Sequence, residues 1–329
     1  MINREEFFDR YWASLEDEGW KAIILHSWKD LPAQIESDVD YAVAGCEPRE
    51  LLTFLDRFSS EHGWKLVQVI EHEPSAYFCV CMQDGGNFEQ IALDVTWDYR
   101  RLGHFLVSSE ILQKNARQVD GKSFKVPAPG AEAAYILAKA AAKNKDYQDV
   151  EPRLQELYRE GSRSFVGVLE KALGFQSQHE DSEAELLSDL KAWYSDATIF
   201  KSVRSGKRYG LSEIQLYLRR CRQPTGLWLG FSGGEPNNDE ALIDEALKPV
   251  KPLYRRNETI GRVKFSGMMK AVSLMIRTSL MIETKAQKSL MAGKLRTMIK
   301  IDASTDSCQV TQEILAHLNE RIVRRIEKL

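Results

Sequence analysis

Cysteine is scarce in this chain and follows no pairing pattern. The 5 cysteines (Cys46, Cys79, Cys81, Cys221 and Cys308) include no C-x-x-C pair, which argues against a disulfide framework or a zinc knuckle and fits a reducing compartment. Long apolar runs are missing too. No stretch approaches the roughly 18 uninterrupted apolar residues of a membrane span, so no membrane association is expected. The N-terminus, Met1-Ile-Asn-Arg-Glu-Glu-Phe-Phe-Asp9, turns acidic at once and lacks the basic and apolar regions of an export signal. With 20 Gly and 10 Pro and no internal repeat, collagenous and low-complexity architectures are excluded. The expectation is a globular protein of the cytoplasm.

What is present suits two or three domains, at roughly 100–200 residues each in a chain of 329. The net charge of −3 is unevenly spread: residues 251–329 hold 16 Lys and Arg against 7 Asp and Glu, which leaves −12 on the first 250. A basic tail can meet phosphorylated ligands, nucleic acid or an acidic partner, or be a solvated helix face.

Apolar spacing from Glu5 to Leu15 predicts an amphipathic helix, and Lys21 to His26 a buried strand. Asp38 to Val43 alternates as a strand does, and Leu51 to Phe58 marks a helix ending near Gly63. Strands are expected at Trp64–Glu71, Ala76–Met82 and Phe88–Trp97, the last two joined by the turn signal Asp84-Gly-Gly-Asn87. This order predicts a mixed sheet with helices on one side. Helices follow at Ala131–Lys143, Val150–Glu160, Ser164–Leu173 and Ser182–Tyr194, and Arg204–Gly210 reads as a basic loop. Beyond Gln223 the texture changes: a strand at Gly226–Phe231, a loop to Asn238, a helix at Asp239–Leu247, a Met-rich helix from about Lys264 to Met291, a strand at Met298–Ile301 and a helix from Ser307 to Lys328. The fold class expected is α/β, with a mixed-sheet domain at 1–128, a helical extension at 129–222 and a smaller α/β domain at 223–329.

The chemistry concentrates in acids. Asp38 and Asp40 sit two apart on one strand, so both side chains leave the same face, roughly 7 Å apart at the Cβ atoms. Asp94 lies within Ile91-Ala-Leu-Asp-Val95, on another expected strand. Three carboxylates together repel unless a cation compensates them, and Mg²⁺ suits a few carboxylates completed by water and phosphate oxygens. Lys139 and Lys143, at i and i+4 on the Ala-rich helix, could neutralise phosphates or stand as a solvated pair, and Arg100 and Arg101 share that ambiguity.

Leu25-His-Ser27, ten further residues, then Asp38-Val-Asp40 and the distal Asp94 make up a pattern that resembles the DNA polymerase β-like nucleotidyltransferases over about residues 18–105, with a helical extension to about 160. The resemblance implies a template-independent nucleotidyltransferase using one or two Mg²⁺ ions to move an NMP from an NTP onto a hydroxyl. It implies that Asp38, Asp40 and Asp94 hold the metal, that Asp94 helps deprotonate the acceptor, and that Ser27 contacts a phosphate. The family has Gly where this chain has His26, whose side chain would crowd a phosphate or donate to it.

Gly230-Phe-Ser-Gly-Gly-Glu-Pro-Asn-Asn238 lies between a strand and a helix, where a P-loop would. A working loop needs Lys and Ser or Thr at positions that here read Glu235, Pro236 and Asn237. With the closing Ile299-Lys-Ile-Asp-Ala303, residues 224–329 resemble a degenerate thymidylate kinase-like domain, implying a module for assembly or ligand recognition. The partners expected are an NTP and a small-molecule or protein hydroxyl acceptor, with no motif for nucleic acid and an adaptable protein-binding surface at the Met-rich basic stretch. The alternatives are a non-catalytic scaffold and a kinase acting through the C-terminal module.

Overall fold

The protein is a mixed α/β structure. The computed structural model describes residues 2–35, 37–83, 88–177, 179, 182–205, 227–232, 245–250, 253, 256–260, 279–283, 298–302 and 307–327. Helix α1 (Arg4–Asp17) starts at Asn3, whose side chain accepts from the Glu6 amide at 2.9 Å. Strands β1 (Lys21–Ile24) and β2 (Val39–Ala44) follow, then α2 (Pro48–Glu61), begun by Pro48 and a Glu47–Glu50 capping box. Strands β3 (Trp64–Glu73), β4 (Ala76–Gln83) and β5 (Gln90–Thr96) complete the expected α-β-β-α-β-β-β order. A hairpin, β6 (Tyr99–Arg101) and β7 (His104–Val107), and a short helix α3 (Ser109–Gln113) come next. The two-residue strands β8 (Arg117–Gln118) and β9 (Lys125–Val126) close a 7-stranded sheet of order β3-β4-β5-β2-β1-β9-β8.

Strand alternation sorts the two faces. Tyr41, Val43, Leu93 and Val95 join a core with Phe7, Phe8, Tyr11 and Trp12 of α1 and Leu51, Leu55 and Phe58 of α2. Ile23, Leu25 and Ala42 point to the other face, into a second core with Tyr135, Leu137, Ala138 and Ala141 of α4 (Pro129–Ala142). Helices therefore cover both faces, not one as expected: the Ala-rich segment read as a following extension is the lid of the sheet's far side. Its close packing on the next helix has a steric cause. A Cβ at Gly130 would lie 2.8 Å from Val168 Cβ, and one at Gly161 would lie 2.9 Å from Pro129 Cβ, so two glycines let α4 and α5 (Glu151–Leu173) approach. Helix α5 fuses the two helices expected there, with non-helical angles at Gly161 (φ −146°, ψ 34°) marking the kink. Helices α6 (Glu183–Asp196) and α7 (Thr198–Arg204) extend this second core.

In the C-terminal third, β10 (Leu227–Ser232), β11 (Arg256–Ile260), β12 (Ser279–Glu283) and β13 (Met298–Asp302) form a 4-stranded parallel sheet of order β11-β12-β10-β13. Strand β12 corrects the expected Met-rich helix over 264–291. Ser279-Leu-Met-Ile-Glu283 is a short apolar run of the kind whose period does not separate strand from helix, and pairing to β10 and β11 decides it. The rest of that stretch lies outside the described residues, as do the expected loops at 206–210 and 233–238 and most of the helix expected at 239–247, of which 245–247 are helical. Strand β11 had no counterpart in the sequence reading.

Helix α8 (Ser307–Ile326) packs back onto the first sheet. It covers the edge strand β3: Asn319 donates to the Leu66 carbonyl at 3.1 Å and Arg325 to the Val69 carbonyl at 2.8 Å, satisfying groups an open edge would expose. Among the described residues, no helix is long and apolar enough to cross a membrane.

Candidate metal centre and its cleft

Strands β2 and β5 are parallel neighbours with Asp40 directly opposite Asp94. Both lie on the sheet face away from α1 and α2, and Asp38 stands one residue before β2 begins. The three side chains converge: each offers an oxygen, and these atoms all lie within 4.8 Å of one another. Oxygens on opposite sides of an octahedral Mg²⁺ stand about 4.2 Å apart, so small side-chain rotations bring the set to ligating distance. Three hard oxygen donors fit Mg²⁺ or Mn²⁺, and the described residues show a cluster able to hold a metal ion without specifying which.

Asp40 is the most enclosed of the three, at 9% exposure. Lys139 of α4 donates to its Oδ2 at 2.8 Å, His26 Nε2 lies 2.9 Å from the same oxygen, and Tyr135 donates to Oδ1 at 3.1 Å. Burial alone would raise its pKa. The hydrogen bond and charge of His26, followed by Lys139, outweigh that and hold the carboxyl well below the usual range. Tyr135 is pushed the other way, by burial and then by the Asp40 charge, so it remains a neutral donor. The Lys139 ammonium also touches His26 Nε2, and the His26 ring stacks on Tyr135 with centroids 5.7 Å apart. His26 Nδ1 and Ser27 Oγ are 2.7 Å apart, and Ser27 holds a left-handed backbone (φ 55°) where the chain leaves β1.

Asp94 is held from elsewhere. His72 Nε2 on β3 lies 2.8 Å from Asp94 Oδ1. Burial works against the charged imidazole, but the bond and charge of Asp94 prevail and raise the His72 pKa.

Beside this cluster opens a cleft of about 640 Å³ between the β1–β2 loop and α4. Lys29, Lys139, Lys143, Lys145 and Arg153 line it against Asp30, Asp38 and Glu132, so cations dominate a space of nucleotide size. Glu132 is itself buried and answered: Arg153 donates to it through two nitrogens at 3.0 and 2.7 Å.

Of the residues singled out in the sequence, Asp38, Asp40, Asp94, His26, Ser27 and Lys139 meet at one place. Lys143 reaches the same cleft but is exposed at the end of α4. Arg100 pairs with Asp98 at 3.4 Å and Arg101 with Glu73 at 3.6 Å, away from the cleft lining. Two participants were missed. Tyr135 stands one helical turn before Lys139, a spacing that could have revealed it; His72 carries no local signal. Compared with family models, with curated proteins and with solved structures, the chain finds no match.

Proposed function

We propose that this protein is a divalent-metal-dependent nucleotidyltransferase of the DNA polymerase β-like kind, transferring an NMP from an NTP to a hydroxyl of a small molecule or protein. The observation that carries this reading is the convergence of Asp38, Asp40 and Asp94 within 4.8 Å at the wall of a lysine-lined cleft. The ion, Mg²⁺ in this reading, supplies screening of the charge that develops on the phosphates and a lowered pKa for the attacking hydroxyl. The chain's residues do the rest. Lys139 and Lys143 bind the triphosphate, Ser27 contacts one of its phosphates, and Asp94 accepts the acceptor's proton. The acceptor oxygen bonds to the α-phosphorus as the α–β anhydride bond breaks and pyrophosphate leaves. The C-terminal sheet serves as a recognition or assembly module, since Glu235, Pro236 and Asn237 replace the residues a kinase loop needs.

A second reading, a non-catalytic scaffold, draws on one feature: Asp40 already has donors on both oxygens, so its charge is compensated without any ion. Calorimetry with Mg²⁺ and each NTP, beside transfer of α-labelled NTP to lysate components, separates the two. The enzyme reading expects metal-dependent NTP binding and labelled product from the wild type and neither from Asp40→Asn. Equal behaviour of the two proteins favours the scaffold.

A further inference from the structure

We infer that His72 is a positioning residue for the metal centre, fixing one oxygen of Asp94 so that the other faces the ion; this rests on the metal reading above. The backbone is shaped for the task. Glu71 pairs with Tyr77 and Glu73 with Ala76, so β3 spends one more residue than β4 between these pairs, and His72 is that extra residue. A β-bulge of this kind re-aims a side chain. Strands β3 and β5 are separated by β4, about 10 Å apart at ordinary strand spacing; Asp94 lies in the row of Phe78 and Ile70, and His72, two residues beyond Ile70, leaves the same face. From the bulge, His72 Nε2 crosses that gap to within 2.8 Å of Asp94 Oδ1.

The bulge is held from both sides. Glu73, 3% exposed, accepts from the Leu102 amide at 3.1 Å, and Arg325 of α8 donates to Val69 at 2.8 Å on the same strand. An ionised carboxylate only accepts, so the imidazole Nε2–H is the donor, and one oxygen of Asp94 is left for a cation. Groups that orient a metal ligand in this way typically govern affinity by 10–100-fold.

The test is Mn²⁺ affinity of the full chain, read from the free-ion paramagnetic resonance signal. His72→Ala should weaken Mn²⁺ binding by about 10–100-fold. His72→Gln, whose amide nitrogen can replace Nε2–H, should restore most of it. In an Asp94→Ala background His72→Ala should change nothing further, because His72 acts through Asp94. A His72→Ala protein that binds Mn²⁺ as the wild type does, or a His72→Gln protein no better than His72→Ala, overturns the inference while leaving the metal reading in place. A wild type that binds no Mn²⁺ overturns both.

Discussion

The two enclosed carboxylates of the centre are kept in opposite ways. Asp40 is gripped by His26 and Lys139 on one oxygen and by Tyr135 on the other, from a loop and from α4. Asp94, its direct neighbour across β2 and β5, meets one imidazole reaching over from a bulge two strands away. One is compensated in advance; the other is oriented and left open. In the proposed reading, a cation arriving between them competes at Asp40 and is received at Asp94. On that reading Lys139 is the exchangeable group: displaced from Asp40, its ammonium would be free for a phosphate in the cleft it already lines.

Substitutions break this contrast in graded steps. The largest effect belongs to Asp40→Asn. Transfer should fall at least about a hundredfold, the scale of losing one preorganised charge at a reacting centre. Lys139 and His26, left without their carboxylate in a partly buried site, should also lower the thermal midpoint. Lys139→Met comes next, with two effects of opposite sign. Nucleotide-free Mn²⁺ affinity should rise as the competitor disappears, while NTP affinity in the presence of metal should fall about tenfold, as for a lost charged hydrogen bond. A fall in both would mean that Lys139 only supports the fold. His26→Gly should tighten metal-dependent NTP binding a few-fold by opening the backbone at Ser27 to a phosphate; a weaker complex would make His26 a phosphate donor instead.

The smallest effect lies at the α2–α8 contact, where Asn319 donates to Asp56 at 2.7 Å. Burial raises the Asp56 pKa and the Asn319 bond offsets only part of that. A folded-state pKa above the unfolded value means stability is full below the unfolded pKa and declines as pH rises through the folded one. Asp56→Asn should flatten that slope in urea unfolding as pH rises from about 4, and add slightly to stability at neutral pH.

Much of this was legible from residue order, and the reasons differ by element. The period-two alternation of Asp38 to Val43 and of Ile91 to Val95 decides which face each acid leaves by, and the resemblance to nucleotidyltransferases implies that Asp94 joins the other two. Lys139 followed from helical spacing. What alternation cannot supply is a partner: it puts His72 on the same face as Ile70 and Asp94, but the contact spans 22 residues and an intervening strand. Nor does helix periodicity reveal which sheet face a helix will cover: α4 brings Tyr135 and Lys139 to Asp40 on the face away from α1 and α2. In the C-terminal third, Ser279–Glu283 misled because five apolar-centred residues carry too little period to distinguish a parallel strand from a helical turn.

The most direct test is anomalous diffraction from crystals soaked in Mn²⁺. The expected result is a single strong peak, or a close pair, bounded by oxygens of Asp38, Asp40 and Asp94, with Lys139 withdrawn from Asp40 and His72 still on Asp94. Density that leaves the three aspartates without a peak while Lys139 stays on Asp40 would contradict the metal centre itself.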